Sequence, residues 1–365
     1  DRIEVMRGPF SALYGNSSGG VLQIWSADGD REGIDARVQA TYGRDDTRTL
    51  AARLRGSAGG VGYHIAASLF DTDGWRDHSA AKRESVNLKL RVPVGSDATL
   101  DIVGNHFDAP DAQDPLGLTW QQAQDDPRQA TAVAYQYNTR KSASQDQLGL
   151  LYQQNFQHGH TLRVMAYGGQ RAVEQYLPLP IAAQNNPLNS GGVIDLDNRY
   201  AGGGLRWSGQ GQWLQGPVEL SVGLNADRQR QHRQGFENHA GGVLGVRGAL
   251  RRDERNEVEN VDQYAQAWWQ FTPRWSLLAG LRHSEVRFAS DDRYISAGNP
   301  DDSGRVDYGR TTPVAGLMFA PNDQWRWYLS AGRGFETPTF NELGYRADGG
   351  AGLAFDLLPA VSRNF

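Results

Sequence analysis

Cationic side chains recur in the polar segments of this sequence, and aromatic residues lie among them. A guanidinium group binds a carboxylate through two parallel, charge-assisted hydrogen bonds, and an aromatic ring offers a face on which a flat molecule stacks. Together these groups are suited to a small anionic ligand. The candidate ligand-binding residues are Arg76, His78, Trp120, Arg140, Lys141, Arg252, Arg255, Arg333, Tyr345 and Arg346.

Each arginine also has a simpler interpretation as a solvated charge beside an acid, and Asp253 and Glu254 are available partners. As a set the cations are harder to explain in this way, because they gather near predicted strand ends in a chain that is acidic overall. The sequence has 37 Lys+Arg against 42 Asp+Glu, a net charge of −5. This balance also argues against nucleic acid as a partner.

Other chemistry has little support in the sequence. His158 and His160 are spaced as a metal-binding pair would be, but no third ligand lies nearby, and we interpret them as part of a solvated turn. The chain has no Cys, no phosphate-binding loop and no set of residues that indicates a nucleophile with its base. We therefore expect no catalytic residues and no metal site.

The elements that must position these residues are indicated by alternation of period two. Val86, Leu88 and Leu90 alternate with Asn87 and Lys89, so each such stretch has one apolar and one polar face, as in a β-strand. We predict that apolar positions such as these lie on the outer wall and polar ones face the lumen. The thirteen predicted strands lie near 33–43, 47–56, 61–70, 84–93, 98–107, 145–156, 161–171, 198–208, 217–227, 260–271, 275–287, 311–319 and 325–333.

Short and long connections alternate strictly between these strands. The long ones are 71–83, 108–144, 172–197, 228–259 and 288–310. A soluble β-sandwich gives no reason for this rule, whereas a membrane β-barrel has short turns at one end and long loops at the other. No apolar run approaches the ~20 residues of a membrane helix. We therefore predict an all-β, antiparallel, up-and-down transmembrane β-barrel.

The first residues contain motifs of a different kind, Glu4-Val5-Met6-Arg7-Gly8-Pro9, Leu13-Tyr14-Gly15 and Gly19-Gly20-Val21-Leu22-Gln23-Ile24. They resemble the end of the plug domain of TonB-dependent outer-membrane receptors, and residues 333–343 resemble a mid-barrel signature of the same superfamily. The resemblance implies a plug end at 1–27, with a helical turn at 10–14, and a barrel part at 28–365. The motif positions it assigns to the plug are Arg7, Gly8, Pro9, Tyr14, Gly15, Gly19 and Gly20.

The same resemblance implies that the chain is not an enzyme and has no cofactor, and it also implies a location and partners. Receptors of this type have twenty-two strands, so the chain looks like a fragment with about thirteen of them. We expect a monomer in the outer membrane of a Gram-negative bacterium, in contact with lipid and lipopolysaccharide. The TonB-ExbB-ExbD complex would energise it through the N-terminal part of the plug.

A finer resemblance concerns the ligand. Loop motifs at 76–79, 114–119, 138–141, 250–256, 301–304 and 341–349 are similar to those of receptors for pyrroloquinoline quinone, a flat molecule with three carboxylates. This implies that the candidate cations converge on one rim of the lumen. A ferric-siderophore or ferric-citrate receptor is the alternative within transport, since those ligands are anionic too. A passive porin or adhesin barrel is the alternative of another class, although a plug argues against it.

Overall fold

A computed structural model of the chain describes residues 2–7, 15, 20–29, 32–214, 216–346 and 352–365. The predicted helical turn at 10–14 lies outside the described residues, as do Gly8, Pro9, Tyr14 and Gly19 of the predicted plug motif. For Arg7 only the backbone is described.

Strands account for most of the described chain. They are β1 (Arg2–Arg7), β2 (Gly20–Trp25), β3 (Gly33–Tyr42), β4 (Arg48–Ala58), β5 (Val61–Thr72), β6 (Ala81–Val94), β7 (Ala98–Gln113), β8 (Arg140–Asn155), β9 (Thr161–Tyr176), β10 (Val193–Trp213), β11 (Gly216–Phe236), β12 (His239–Ala240), β13 (Val243–Leu244), β14 (Leu250–Thr272), β15 (Trp275–Asp292), β16 (Gly304–Phe319), β17 (Trp327–Glu336) and β18 (Ala360–Asn364).

Fourteen of these strands form one antiparallel sheet that runs in chain order from β3 to β18, with the small β12–β13 hairpin standing outside it. β1 and β2 form a separate two-stranded sheet. All thirteen predicted strands are present, and β18 is a fourteenth that the alternation did not indicate. The all-β, up-and-down architecture is therefore confirmed. The boundary between a plug end and a barrel at residue 27 stays a prediction.

Helices are short and confined to loops: α1 (Trp120–Asp125), α2 (Ala132–Tyr137), α3 (Ile181–Gln184) and α4 (Phe340–Leu343). α1 and α4 begin at threonines, Thr119 and Thr339, each in a capping box with the residue three positions later. None of the described helices is long or apolar enough to span a membrane.

The two faces of the sheet differ as the alternation predicts. Val38 and Leu329 are 74% and 71% exposed on the outer face, where apolar side chains meet lipid in a barrel of this kind. On the inner face Lys89 forms an ion pair with Asp28, which lies just before the sheet begins. The predicted sidedness is confirmed at these positions.

The inner wall near the short turns carries a compact charge cluster. Arg91 donates two hydrogen bonds of 2.7 Å to the buried Asp101 and one of 2.9 Å to Asp28. Asp28 therefore ties the segment that follows β2 to the barrel wall. Arg2, by contrast, pairs with Glu4 on its own strand. Such pairs fix position more than they stabilise the fold.

Strand length explains where a binding site can form. β10 and β11 have 21 residues each and β14 has 23, whereas ~9–11 residues suffice to cross a bilayer. The surplus lies at the long-loop end, because the turns at the other end are short. The inner faces of the β10 and β11 extensions form part of the wall of the site described next.

Candidate ligand-binding site

A cavity of about 900 Å³ lies against the inner faces of β8, β9, β10 and β11 at the long-loop end. We call it the cationic cavity, because Lys141, Arg171 and Arg233 line it and no Asp or Glu is among its lining residues. Asn341 of α4 and the nearby Tyr345 reach it from the loop between β17 and β18.

The three cations of the cationic cavity are less engaged than most, although Glu254 lies directly opposite Arg233 on β14 and attracts its charge. Within the residues that the structure describes, the side chains of Lys141, Arg171 and Arg233 take part in no hydrogen bond and no ion pair. Most other arginines of the described chain are paired with carboxylates or with backbone carbonyls. Three unpaired cations facing one space produce a positive field that favours an anionic ligand.

Strand register sets the spacing of these cations. Arg171 lies directly opposite Gln145 on one side and Asn198 on the other, and Arg233 lies opposite Leu196. Arg233 is thus two strands and one side-chain row away from Arg171. With ~4.8 Å between strands and ~6.6 Å between rows, their Cα atoms are about 12 Å apart. Side chains of this length can converge on one small molecule across that distance.

A network of amide and hydroxyl groups holds the cavity floor. Gln229 and Gln231 donate hydrogen bonds of 3.1 and 2.9 Å to the buried Asn198, whose amide donates to the Arg171 carbonyl at 3.2 Å. The Tyr200 hydroxyl donates to Gln147 at 2.9 Å. Because these groups satisfy one another, the floor is preorganised before a ligand arrives.

Aromatic and apolar surfaces complete the lining. The rings of Tyr167 and Tyr200 lie 6.4 Å apart with a tilt of 51°. Val173 and Leu196 add an apolar patch, and Tyr345 is 83% exposed and points into the same space. A flat conjugated ring would find both stacking faces and cations here.

Two of the ten sequence-predicted residues line the cationic cavity, Lys141 and Tyr345. Two more lie beside it and are already paired. Arg252 forms an ion pair with the buried Glu254, and Arg346 lies 3.8 Å from Asp302. These two arginines contribute to the local field, but their charges are partly neutralised.

Three predicted residues instead hold loops together. Arg76 donates hydrogen bonds of 2.7 Å to the carbonyls of Leu116 and Gln129, and His78 contacts the Thr139 carbonyl at 2.9 Å. Arg140 forms a 3.1 Å ion pair with Asp111 and packs over the ring of Tyr176. It lies on the opposite face of β8 from Lys141, because adjacent residues of a strand point to opposite sides.

The remaining three predicted residues do not converge with the others. Trp120 is 80% exposed at the start of α1. Arg255 is exposed between the buried Glu254 and Asn256, which places it on the outer face of β14. Arg333 shares the outer face of β17 with Trp327 and Leu329. The structure therefore does not place Arg255 and Arg333 on the lumen side with the expected rim of cations.

Sequence reasoning missed Arg171 and Arg233. It placed Arg233 in a long connection and Arg171 at the last residue of a predicted strand. Both lie on strands that continue past the apolar band. Extending the alternation along the strand identifies Arg233 as an inward residue, because Asn225, Asp227, Gln229 and Arg233 fall on one face.

Titratable groups in and beside the cavity are perturbed. Burial lowers the pKa of Arg233 to about 10, the positive charge of Arg252 adds to this shift and Glu254 opposes it. Burial raises the pKa of the Asp302 carboxyl, the neighbouring Arg346 opposes this shift, and the negative charge of Asp292 adds to it. Asp302 lies in the loop between β15 and β16. Asp302 therefore takes up its proton at a higher pH than an exposed aspartate does.

Metal binding has no support in the described part of the chain, where no group of three His, Asp or Glu side chains is placed to hold an ion. His160 stacks on Trp207 with ring centroids 5.4 Å apart. His158 lies in a short 3₁₀ turn, Gln157–Gly159. The pair is part of the turn between β8 and β9, as interpreted from the sequence.

Comparison with known families gives a direct result. Residues 88–365 match the family model described as TonB dependent receptor-like, beta-barrel, which covers most of the chain. The chain belongs to this family. The long loops, outward apolar band and inward polar wall of the sheet are those expected for a receptor barrel.

Solved structures share the fold of this receptor chain. The ferric citrate transporter FecA in its unliganded form has 20% sequence identity and a TM-score of 0.78, over 94% of this chain and 50% of that one. The siderophore receptor PiuA from Acinetobacter baumannii has 14% identity and a TM-score of 0.74, over 92% and 54%. The ferric yersiniabactin uptake receptor FyuA from Yersinia pestis has 16% identity and a TM-score of 0.74, over 96% and 54%. The chain spans about half the length of these structures.

Proposed function

We propose that this chain forms a ligand-recognition wall of an outer-membrane receptor that imports a small polyanion. The observation that carries the proposal is the cationic cavity, in which Lys141, Arg171 and Arg233 face one space and no carboxylate is among the lining residues. The three like charges repel one another, and an anion bound between them would relieve that repulsion. The position at the long-loop end suits capture from the outside.

Pyrroloquinoline quinone is the specific ligand that we propose. It has three carboxylates for three cations, and its flat ring system matches the tyrosines Tyr167, Tyr200 and Tyr345. Each charge-assisted hydrogen bond contributes ~1.5–3 kcal/mol. A preorganised site that makes several of them can reach nanomolar affinity, which corresponds to ~12 kcal/mol.

A ferric-citrate or ferric-siderophore complex is the second candidate, because it would also neutralise this cavity. One observation favours it, namely the fold similarity to a protein described as a ferric citrate transporter. The passive porin or adhesin alternative is not retained, because the chain belongs to the TonB-dependent receptor family.

Energised import follows from the same family assignment. We propose that TonB, together with ExbB and ExbD, drives release of the solute by acting on the plug whose end we assign to residues 1–27. The barrel part, 28–365, would lie in the outer membrane of a Gram-negative bacterium as a monomer, with lipid and lipopolysaccharide around it. The ligand itself is cargo, and no resident cofactor is required.

Binding of candidate solutes to the full-length receptor tests the proposal. Calorimetric titration should give tight binding of pyrroloquinoline quinone and binding at least 100-fold weaker for ferric citrate, a ferric catecholate and an uncharged disaccharide. If an iron complex binds tightest, the ligand assignment fails while the anion-receptor assignment stands. If the disaccharide binds as well as the anions, the anion-receptor assignment fails too.

A further inference from the structure

Two arginines of the inner wall lie between the cationic cavity and the short turns, and the cavity does not explain them. Arg163 of β9 and Arg206 of β10 are exposed and directly opposite each other. Counting by twos along each strand from the lining residues Tyr167 and Tyr200 places both side chains on the lumen face. We call them the lower arginine pair. Four residues separate Arg163 from Tyr167, so the pair lies about 13 Å from the cavity floor.

The lower arginine pair is hydrogen-bonded to neutral groups. Arg163 Nε donates to Gln153 at 2.8 Å, and Arg206 donates to Ser208 and Ser221 at 3.2 Å each. Among the side chains that the structure describes, neither arginine forms an ion pair. Like charges placed directly opposite each other on two strands are destabilising. An anion bound between the two guanidinium groups would relieve this repulsion.

The same wall neutralises neighbouring arginines with its own carboxylates. Arg282 lies in the same row of paired residues and forms an ion pair with Asp262. Arg91 lies one row closer to the cavity and donates two hydrogen bonds to Asp101. Asp101 also attracts Arg163, but it is already bound by Arg91. The lower arginine pair is therefore distinguished from its neighbours by its lack of a dedicated carboxylate in the described chain.

The wall between the cavity and the lower arginine pair is flat and uncharged along β9 and β10. Met165, Gly204 and Asn225 form the row between them, and none of the three is charged. In the row above, a Cβ atom added to Gly202 would lie 2.6 Å from the Tyr167 hydroxyl oxygen, so the Tyr167 side chain lies against the wall. An anion that leaves the cavity along these two strands thus reaches the lower arginine pair as the next group of cations.

We propose that the lower arginine pair is a second anion site, which binds the imported solute after it leaves the cationic cavity and before its release. The inference rests on the proposed function, because one polyanion must fit both sites. Each guanidinium can bind a carboxylate through two parallel hydrogen bonds. The second site would replace part of the charge-assisted bonding that the solute loses when it leaves the cavity.

Transport kinetics test the proposal in cells that express the full-length receptor. The probe is radiolabelled pyrroloquinoline quinone. The double variant Arg163→Gln, Arg206→Gln should bind it at the cell surface with wild-type affinity and lower the maximal uptake rate roughly fivefold or more. Arg171→Gln should instead weaken surface binding, which separates the two sites. An unchanged maximal uptake rate in the double variant would overturn the proposal.

Arg37→Gln is the matched control. Arg37 is an exposed arginine of β3 on the inner wall, six strands from the lower arginine pair, and it donates to the neutral Gln39 at 3.3 Å. This variant should bind and transport the probe as the wild type does. An equal loss of uptake would show that inner-wall charge in general, and not this pair, determines the rate.

A second measurement is independent of the identity of the solute. The sequence has no Cys, so Ser221→Cys places a single thiol in this part of the receptor, beside Arg206. In energised cells a sulfonated methanethiosulfonate reagent should react with it faster than the trimethylammonium analogue. Arg163→Gln with Arg206→Gln should lower the ratio of the two rates about tenfold. A ratio that these substitutions leave unchanged would overturn the second anion site.

The two measurements separate the possible failures. If the wild type does not bind pyrroloquinoline quinone but the thiol reacts with charge selectivity, the ligand assignment fails and the second anion site stands. Faster passive entry of a large antibiotic in the double variant would show that the pair holds the plug in place, and it would overturn the proposal.

Discussion

At the scale of single residues, Arg171 and Arg233 decide whether the cationic cavity is a binding site. We expect Arg171→Gln and Arg233→Gln each to weaken binding of pyrroloquinoline quinone about 10- to 100-fold, since each loses a charge-assisted hydrogen bond of ~1.5–3 kcal/mol. Glutamine keeps a polar side chain but removes the charge and the two terminal nitrogens. Isothermal titration calorimetry on the full-length receptor measures the effect.

Arg255→Gln is the matched comparison for those variants. The sequence places Arg255 among the ligand-binding residues, whereas the structure places it on the outer face of β14. We expect this variant to bind with wild-type affinity. A loss comparable to that of Arg233→Gln would mean that the inward-facing set defined here is not the site.

The charge of Asp302 makes ligand affinity dependent on pH. Because burial raises its carboxyl pKa above the usual 3.8, the folded protein binds this proton more tightly than the unfolded chain does. The stabilisation that the proton provides is therefore present at low pH and is lost as pH rises through the raised pKa. As pH falls into that range, Asp302 loses its charge beside Arg346, and an anion in the cavity should bind more tightly.

The affinity of the cavity for an anion can be measured against pH with a sulfonated aromatic probe, because the probe stays ionised over the whole range. Its affinity for the wild type should increase as pH falls from 7 towards 4. The Asp302→Asn variant should bind more tightly than wild type at pH 7 and change less with pH. Identical pH profiles for the two proteins would exclude Asp302 as the source.

At the scale of strands and loops, the sequence predicts well wherever lipid imposes an apolar face. Val222 and Leu224 alternate with polar neighbours, and the strand predicted around them is present. Beyond the lipid both faces of a strand are polar, as in residues 229–233, so alternation disappears although the strand continues. The sequence therefore predicts loops where these strands continue, so alternation does not show that Arg233 faces inward and Arg255 outward.

Loop contacts were beyond sequence reasoning for a different reason. In the sequence, Arg76 and Arg140 cannot be distinguished from ligand-binding arginines. The partners that bind them come from distant segments: Arg76 donates to Gln129, 53 residues away, and Arg140 packs on Tyr176 of β9. The resemblance to receptor loop motifs points to whole loops. It could not separate residues that build a loop from residues that face the lumen.

α4 provides a prediction at this scale. Leu343 is fully buried in an apolar cluster with Phe288, Phe335 and Phe340, and this cluster anchors the loop that carries Tyr345. Leu343→Ala should cost ~2–5 kcal/mol of local stability. We expect faster proteolysis between 337 and 359 and weaker ligand binding, with the barrel still assembled.

The exposed Leu358, at the end of the same loop, supplies the control. Leu358→Ala should change neither proteolysis nor affinity, because its side chain is 82% exposed. If Leu343→Ala resists protease as the wild type does, the cluster does not anchor this loop.

At the scale of the whole molecule, the chain supplies fourteen strands of a receptor wall. Binding and energised transport should then be separable in the full-length receptor. A protonophore should abolish uptake of the solute by cells while leaving its binding to the cell surface unchanged, since TonB-driven release needs the proton-motive force. Uptake that continues under the protonophore would contradict an energised mechanism.

The location of a bound ligand tests the central claim most directly. We would determine the structure of the full-length receptor with pyrroloquinoline quinone at saturating concentration. The expected result is ligand density in the cationic cavity, with carboxylate oxygens ~3 Å from the side-chain nitrogens of Arg171 and Arg233 and the ring system against Tyr200 or Tyr345. Density among Arg76, His78 and Arg140 with the cationic cavity empty would contradict the account.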